Sequence, residues 1–202
     1  MIFLTAAESI GFVLYDVHTI GTVSLHQVLE AERAMHELIN TYWYQTSFLT
    51  PKWWFLVILS IVPAIIWWFV VDKKRITEVT AFGLFYGVAA TILDSIGSNM
   101  MLWTYRIRLT PFMDPQFYPY DVGIVIIPFM LVFQRWGKNF KKFALYSLLL
   151  SFMLAFVAEP VMEWLKIYKQ IIWRNIYSFP IYWLLSLICW GIIRHFKSLE
   201  QR

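Results

Sequence analysis

Long apolar runs separated by short charged breaks dominate the hydrophobic pattern of this chain. A helix needs about 20 apolar residues to cross the hydrocarbon core of a bilayer. Four runs reach that length and a fifth is somewhat shorter. The pattern therefore predicts five membrane-spanning helices, with the third as the short one, over residues 53–71, 79–103, 120–133, 143–164 and 171–193. The predicted fold is an all-α polytopic bundle over residues 51–202, preceded by an amino-terminal segment, residues 1–50.

Residues 24–44 follow a different pattern, in which only one side of a helix is apolar. Ser24 followed by Gln27 matches the capping box that starts many helices. Apolar residues then recur at helical spacing, at Leu25, Val28, Met35, Ile39 and Tyr42. We expect an amphipathic helix that lies on the membrane surface. A metal site is the less favoured interpretation of the titratable residues on the polar side, which are His26, Glu30, Glu32 and His36.

The first 23 residues are apolar, but the run is interrupted. Glu8, Asp16, His18 and two glycines break it. The first ten residues lack the basic start of a secretory signal, so we expect no cleaved peptide. A re-entrant, interfacial or loosely packed segment is the favoured interpretation, and a sixth span is the alternative.

Composition supports a membrane protein. Hydrophobic residues make up 59% of the chain and charged residues 15%, and the mean hydropathy is +0.58, outside the usual range for soluble domains. No linker or internal repeat is apparent. The net charge of +4 comes from basic residues at span ends, which argues against a nucleic-acid partner. No phosphate loop, HExxH, CxxC or GxSxG motif occurs, so the sequence indicates no cofactor.

Lysine and arginine are distributed unequally between the two sides of the predicted bundle, and cytoplasmic loops carry the excess in membrane proteins. One side has ten, namely Lys73, Lys74, Arg75, Arg135, Lys138, Lys141, Lys142, Arg194, Lys197 and Arg202. The other side has seven, namely Arg33, Lys52, Arg106, Arg108, Lys166, Lys169 and Arg174. The distribution predicts a carboxyl terminus in the cytoplasm. It leaves the oligomeric state, including a homo-oligomer, open.

The second predicted span carries its small and polar residues on one face. They recur at steps of three and four, at Gly83, Gly87, Thr91, Asp94, Ser95 and Ser98. Small residues four apart let another helix approach closely. A charge that faced lipid would cost about 2.5 to 3.5 kcal/mol. We therefore expect this face to point into the bundle, where Asp94 needs a partner, a proton or water.

The stretch "SFMLAFVAEPVMEWLK", residues 151–166, ends the fourth predicted span with Glu159 and Glu163 on one helical face. Pro160 lacks an N–H group and therefore frees a backbone carbonyl one turn earlier. Asp121 starts the third span, on the same predicted side of the bundle. The candidate ligand-binding residues are these acids with their aromatic and basic neighbours, namely Asp94, Asp121, Glu159, Glu163, Arg106, Tyr105 and Trp103.

Three hypotheses compete for these acids. In the first, they are buried partners of Arg106, of Arg174 or of tyrosine and tryptophan donors, and they determine how the helices pack. In the second, they line a polar cavity that binds a cation, a proton or a cationic small molecule. In the third, a carboxyl group acts as a general acid or base on a lipid-like substrate.

The leading functional hypothesis is a non-enzymatic membrane protein that binds or transports a small ligand or ion. Asp94 and Glu159 are its central groups. A membrane-embedded enzyme that modifies isoprenoids or lipids is one alternative. A structural or assembly component of a membrane is the other.

Four stretches carry a resemblance to a known family: "WWFLVILSIVPAIIWWFVVDKKRITE", "LDSIGSNMMLWTYRIRLTP", "YPYDVGIVIIPFMLVFQ" and "AFVAEPVMEWLKIY". Over about residues 40–193 the chain resembles an uncharacterised family of small multi-spanning membrane proteins from spore-forming Bacillota. The resemblance implies a location in a bacterial cytoplasmic membrane. The chain also resembles, more faintly, small helical lycopene-cyclase-type domains, and this likeness assigns no role to any residue.

Overall fold

The computed structural model describes residues 22–113 and 118–200, and it leaves out the side chains of residues 118–121. The predictions for residues 1–21 lie outside this part. Seven α-helices occur within it: α1 Leu25–Thr46, α2 Pro51–Val70, α3 Ile76–Asn99, α4 Ile127–Trp136, α5 Phe140–Met153, α6 Glu159–Trp164 and α7 Asn175–Glu200. A π-helix, Tyr118–Ile126, leads into α4, and a second one, Leu154–Ala158, joins α5 to α6.

The chain is mostly helical, as predicted, and four helices are long and apolar enough to cross a membrane. They are Pro51–Val70, Lys73–Asn99, Phe140–Trp164 and Asn175–Glu200. The predicted count of five is not reached on this criterion. The third predicted span corresponds to the shorter apolar helix Val122–Trp136, which at about 1.5 Å per residue covers roughly 22 Å of a core about 30 Å thick.

Two short strands, β1 Trp103–Tyr105 and β2 Tyr168–Gln170, were not predicted. They pair antiparallel, with Trp103 opposite Gln170 and Tyr105 opposite Tyr168. The second predicted span extended to Trp103, because aromatic strand residues have the hydropathy of a span end, whereas its helix ends at Asn99. The fifth predicted span began at residue 171, next to β2, whereas α7 begins at Asn175. The fourth predicted span and its helix both end at Trp164. We call this end of the bundle the strand end, and the opposite end, with Lys73–Arg75, the basic end.

Glycines on α3 allow the close helix contacts that the sequence predicts. A Cβ added at Gly83 would overlap the Met130 side chain, and one at Gly87 would overlap Ile126. The face of α3 with Gly83, Gly87 and Asp94 is buried, which confirms that it points into the bundle. An aromatic core continues from this contact, with the Phe82 ring stacked on Phe133 at 4.3 Å between centroids.

Glu78 connects three helices at the basic end, although sequence analysis did not single it out. Its Oε2 accepts hydrogen bonds from Arg75 Nε at 3.0 Å and from Lys197 Nζ at 2.9 Å. Arg75 also donates to the Gln134 carbonyl oxygen at 2.8 Å. The start of α3, the end of α4 and the last turns of α7 are therefore tied together around one carboxyl group.

The predicted amphipathic helix is confirmed as α1. Ser24 and Gln27 form the capping box at its start. The Trp43 indole is buried and donates to the Arg108 carbonyl oxygen at 2.9 Å, which attaches the end of α1 to the bundle. Its apolar face is otherwise exposed, at Leu25, Val28, Leu29, Met35, Leu38 and Tyr42.

The metal alternative for α1 finds no support in the geometry. His26 and Glu30 form an exposed pair at 3.5 Å. Within residues 22–113 and 118–200, no three His, Cys, Asp or Glu side chains form a group that could hold a metal ion.

Gly123 offers a test of how closely α2 approaches the π-helix before α4. A Cβ on Gly123 would lie far inside contact distance of the Leu59 carbonyl oxygen, whereas a Cβ on Gly191 would meet nothing within 4 Å. We expect Gly123→Ala to lower the free energy of unfolding by about 1–3 kcal/mol, since two backbones must move apart. Gly191→Ala should be neutral or stabilising by up to about 1 kcal/mol. Thermal unfolding in detergent measures both, and equal midpoints would contradict the packing.

Candidate functional site

A cavity of about 290 Å³ lies at the strand end, between α3, α6, α7 and the two strands. Apolar side chains such as Leu93, Val125 and Leu185 form most of its lining. Its two acids are Asp94 from α3 and Glu159 from α6. An apolar cavity with a few polar groups in its wall is the usual form of a small-molecule site.

Asp94 is 8% exposed and is held by the first strand. Its Oδ1 accepts hydrogen bonds from Trp103 Nε1 at 2.7 Å and from the Tyr105 hydroxyl at 2.9 Å. Trp103 and Tyr105 are two residues apart in β1, so both side chains point to the same face of the strand. Gly97 makes this possible, because any Cβ there would overlap the Trp103 ring.

Glu159 is half-buried and is held from α7 and the second strand. Its Oε1 accepts a hydrogen bond from the Tyr182 hydroxyl at 2.8 Å. Its Oε2 accepts from Ser178 Oγ at 3.1 Å and from Gln170 Nε2 at 3.3 Å. All three donors are neutral. Among the described residues, no lysine or arginine forms a salt bridge with Glu159.

The π-helix before Glu159 explains how the chain presents this acid. The Glu159 N–H bonds to the Leu154 carbonyl oxygen, five residues back, and Pro160 has no N–H to continue the series. The Ala155 carbonyl is instead bonded by Asn175 Nδ2 at 2.6 Å. The carbonyl group predicted to be free before Pro160 is therefore present, and Asn175 of α7 donates a hydrogen bond to it. Inserted π turns of this kind often occur at functional sites.

The paired strands form one wall of the cavity. Trp103, Tyr105, Tyr168 and Gln170 occupy alternate positions of the two strands, and Thr104 and Lys169 lie between them. The Trp103 ring also contacts Trp173 edge to face, at 5.1 Å between centroids. The wall therefore supplies three of the hydrogen-bond donors to the acids, and aromatic side chains that line the cavity.

Tyr168 lines the same cavity as the two acids. Burial raises the pKa of its hydroxyl well above the ordinary value, and the negative charges of Glu159 and Asp94 raise this pKa further. The hydroxyl stays neutral at physiological pH, so Tyr168 contributes a hydrogen-bonding group and a ring face but no charge.

Four of the seven residues proposed from sequence come together at this cavity, namely Asp94, Trp103, Tyr105 and Glu159. Glu163 is exposed and Arg106 is half-buried, and neither belongs to the lining. The side chain of Asp121 lies outside the described part of the structure. Sequence analysis missed Tyr168, Gln170, Ser178 and Tyr182. The spacing of Ser178 and Tyr182, four apart in an apolar span, was the available signal for a polar face.

Two carboxylates and several aromatic faces form a site that suits an organic cation. Ammonium groups are attracted both to carboxylates and to the faces of tryptophan and tyrosine rings. A bare divalent metal fits less well. Calcium takes six to eight oxygen ligands, whereas each acid here is already bonded to indole, hydroxyl or amide donors.

Comparisons with known proteins do not add to this picture. No family model matches the chain, and neither a curated protein nor a solved structure does. The resemblance to membrane proteins of spore-forming bacteria remains a prediction. The residues of the cavity are therefore the basis on which a function can be assigned.

Gly97→Ala tests the contact between Trp103 and Asp94. The added methyl group must displace the indole, which overpacks the site at a cost of about 1–3 kcal/mol and breaks a hydrogen bond to a carboxyl group. We expect a lower unfolding midpoint and altered tryptophan fluorescence. Trp103→Phe, which keeps a ring but has no N–H, should lower the midpoint less. Unchanged stability and fluorescence in Gly97→Ala would show that the indole lies elsewhere.

Proposed function

We propose that this chain is a multi-spanning membrane protein that binds or transports a small organic cation in the strand-end cavity. Asp94 and Glu159 supply the negative charge. The observation that carries the proposal is that two acids far apart in the sequence line one otherwise apolar cavity. An acid in a membrane bundle is costly to keep, and such acids commonly mark ligand or ion pathways.

The hydrogen bonds of the acids are compatible with a packing role as well as a binding role. Neutral tyrosine, tryptophan, serine and glutamine donors stabilise a carboxylate but do not cancel its charge. The cavity favours binding, because an acid needed only for packing has no reason to border an open volume. Glu159 is half-buried at this wall, and its described partners are all neutral. A cation in the cavity would compensate its charge.

The apolar part of the lining supports an organic ligand over an inorganic ion. Leu93, Val125 and Leu185 offer no ligand to a metal, but they would bury methylene groups at about 0.8 kcal/mol each. Trp103 and Trp173 add aromatic surface beside Asp94 and Glu159. A molecule with a charged amine and an alkyl body matches both parts of the wall.

We propose further that α4, with the π-helix before it, makes a fifth crossing. The continuous helical segment from Tyr118 to Trp136 connects the strand end to the basic end, and this length supports a crossing where the bilayer thins or where neighbouring helices cover the segment. The basic end faces the cytoplasm of a bacterial cell in this proposal, because the lysine and arginine excess lies there.

The crossing and the orientation can be tested together. Single cysteines are introduced at exposed positions, as Lys74→Cys, Lys138→Cys and Lys169→Cys, in a Cys189→Ser background. We expect a membrane-impermeant maleimide to label Lys169→Cys in intact cells, and the other two only after permeabilisation. Labelling of Lys138→Cys, but not of Lys74→Cys, in intact cells would contradict the fifth crossing.

Ligand binding is tested by thermal unfolding in lipid nanodiscs with protonated hexylamine as the probe. A ligand that binds the folded state raises its stability by RT ln(1 + [L]/Kd), about 2.7 kcal/mol at 100 times the Kd. We expect wild type to be stabilised and the double variant Asp94→Asn/Glu159→Gln to lose the shift while staying folded. Glu163→Gln, the same change on an exposed acid of α6, is the matched control and should keep the shift.

A different result would favour packing or catalysis. If hexylamine leaves wild type unchanged and the double variant loses its fold, the two acids serve helix packing. If mass spectrometry shows turnover of an isoprenoid or lipid extract by wild type, the protein is an enzyme. The folded state of each variant is checked by circular dichroism and size-exclusion chromatography.

A further inference from the structure

The two acids occupy equivalent positions in a repeated structural unit. Each unit consists of a helix, a turn and a strand: α3 followed by β1, and α5–α6 followed by β2. The same offset of 65 residues separates Asp94 from Glu159 and Trp103 from Tyr168. The sequences of the two units are otherwise dissimilar, which is why sequence analysis found no repeat.

The turns of the two units share their backbone geometry. The Leu102 N–H bonds to the Gly97 carbonyl oxygen, and the Ile167 N–H bonds to that of Met162, each at 3.0 Å. This is the six-to-one bond of a Schellman turn, which requires a left-handed residue. Met101 with φ 56° and Lys166 with φ 57° fill that position. Leu49, near the end of α1, is the third described non-glycine residue with positive φ. The spacing of 65 residues between Met101 and Lys166, together with the matching bonds, supports the equivalence of the two turns.

The strand register shows how the two units are related. Trp103 pairs with Gln170, and Tyr105 pairs with Tyr168. A two-fold rotation about an axis that passes between Thr104 and Lys169 exchanges these two pairs. Both α3 and α6 run toward the strand end, because a strand follows each of them directly. The pseudo-two-fold axis therefore runs along the bundle, and it places the two carboxyl groups on opposite sides of the cavity.

We propose, resting on the function proposed above, that the ligand is an alkyl diamine that places one ammonium group at Asp94 and the other at Glu159. Binding sites at the interface of repeated units are common in membrane transporters. Here each unit contributes one carboxyl group, one strand and part of the apolar lining. A molecule with two equal charged ends and an apolar middle has the symmetry of this site.

The number of charged ends distinguishes a diamine from a monoamine. A monoamine places its one ammonium group at a single carboxyl group. A diamine places one ammonium group at each of the two, and its methylene chain lies against the apolar lining. The volume of about 290 Å³ is at the small end for ligand cavities, which suits a slender chain. Trp103, Tyr105 and Tyr168 offer aromatic faces to the ammonium groups.

The test compares 1,6-diaminohexane with hexylamine by isothermal titration calorimetry on the full chain in nanodiscs. Both probes are fully protonated at neutral pH, because alkyl amines titrate near pH 10. We expect the diamine to bind wild type at least tenfold more tightly than the monoamine. Asp94→Asn and Glu159→Gln should each reduce this ratio to about one, while Glu163→Gln keeps it. Uncharged 1,6-hexanediol controls for partition into the bilayer.

Each other outcome has a defined meaning. Equal affinities of the two amines in wild type would overturn the proposal of a diamine ligand, whereas the proposed binding of an organic cation would still hold. A ratio that only one of the two acid variants reduces would overturn the equivalence of the acids, and with it the proposal. Absence of binding by either amine would overturn both the proposal and the function on which it rests. Diamines with four to eight carbons then report which separation of ammonium groups fits best.

Discussion

The hydrogen bonds to two acids within an apolar bundle are the interactions on which the strand end depends. A carboxyl group in such surroundings needs hydrogen-bond donors. The backbone N–H groups of a helix cannot serve, because they already bond to carbonyl groups of the same helix. Side chains from outside α3 and α6 must therefore reach Asp94 and Glu159. The paired strands provide three of these donors, Trp103, Tyr105 and Gln170, and α7 provides the rest of those observed at Glu159.

This requirement accounts for the local departures from regular helix. The turns at Met101 and Lys166 end their helices early, so that the following residues return across the bundle as strands. Gly97 leaves room for an indole beside α3. The π-helix and Pro160 present Glu159 toward α7, where Asn175 bonds the carbonyl that is left over. Each of these irregularities has a polar or steric reason at the cavity. At the basic end, by contrast, the cluster around Glu78 and the hydrogen bonds of Gln134 connect the helices.

Neutral donors connect the stability of the site to its proposed function. A lysine or arginine partner would have stabilised the Glu159 carboxylate more strongly, but it would also have cancelled the charge that the proposed function requires. Hydroxyl and amide groups lower the cost of burying Glu159, and none of its hydrogen-bond donors among the described residues is charged. The repeated unit places a second acid, Asp94, at the equivalent position. The two acids then border one volume, which matches the proposed ligand with two charged ends.

The sequence by itself determined the features that depend on local pattern. Apolar length predicted the long helices, the Ser24 and Gln27 pair predicted the start of α1, and glycine spacing predicted the buried face of α3, because each involves neighbours within a turn or two. Only the tertiary structure decided that Asp94 and Glu159 share a cavity while Glu163 remains exposed. That choice depends on strand pairing between residues 63 to 67 apart, and helical periodicity contains no information about contacts at that separation.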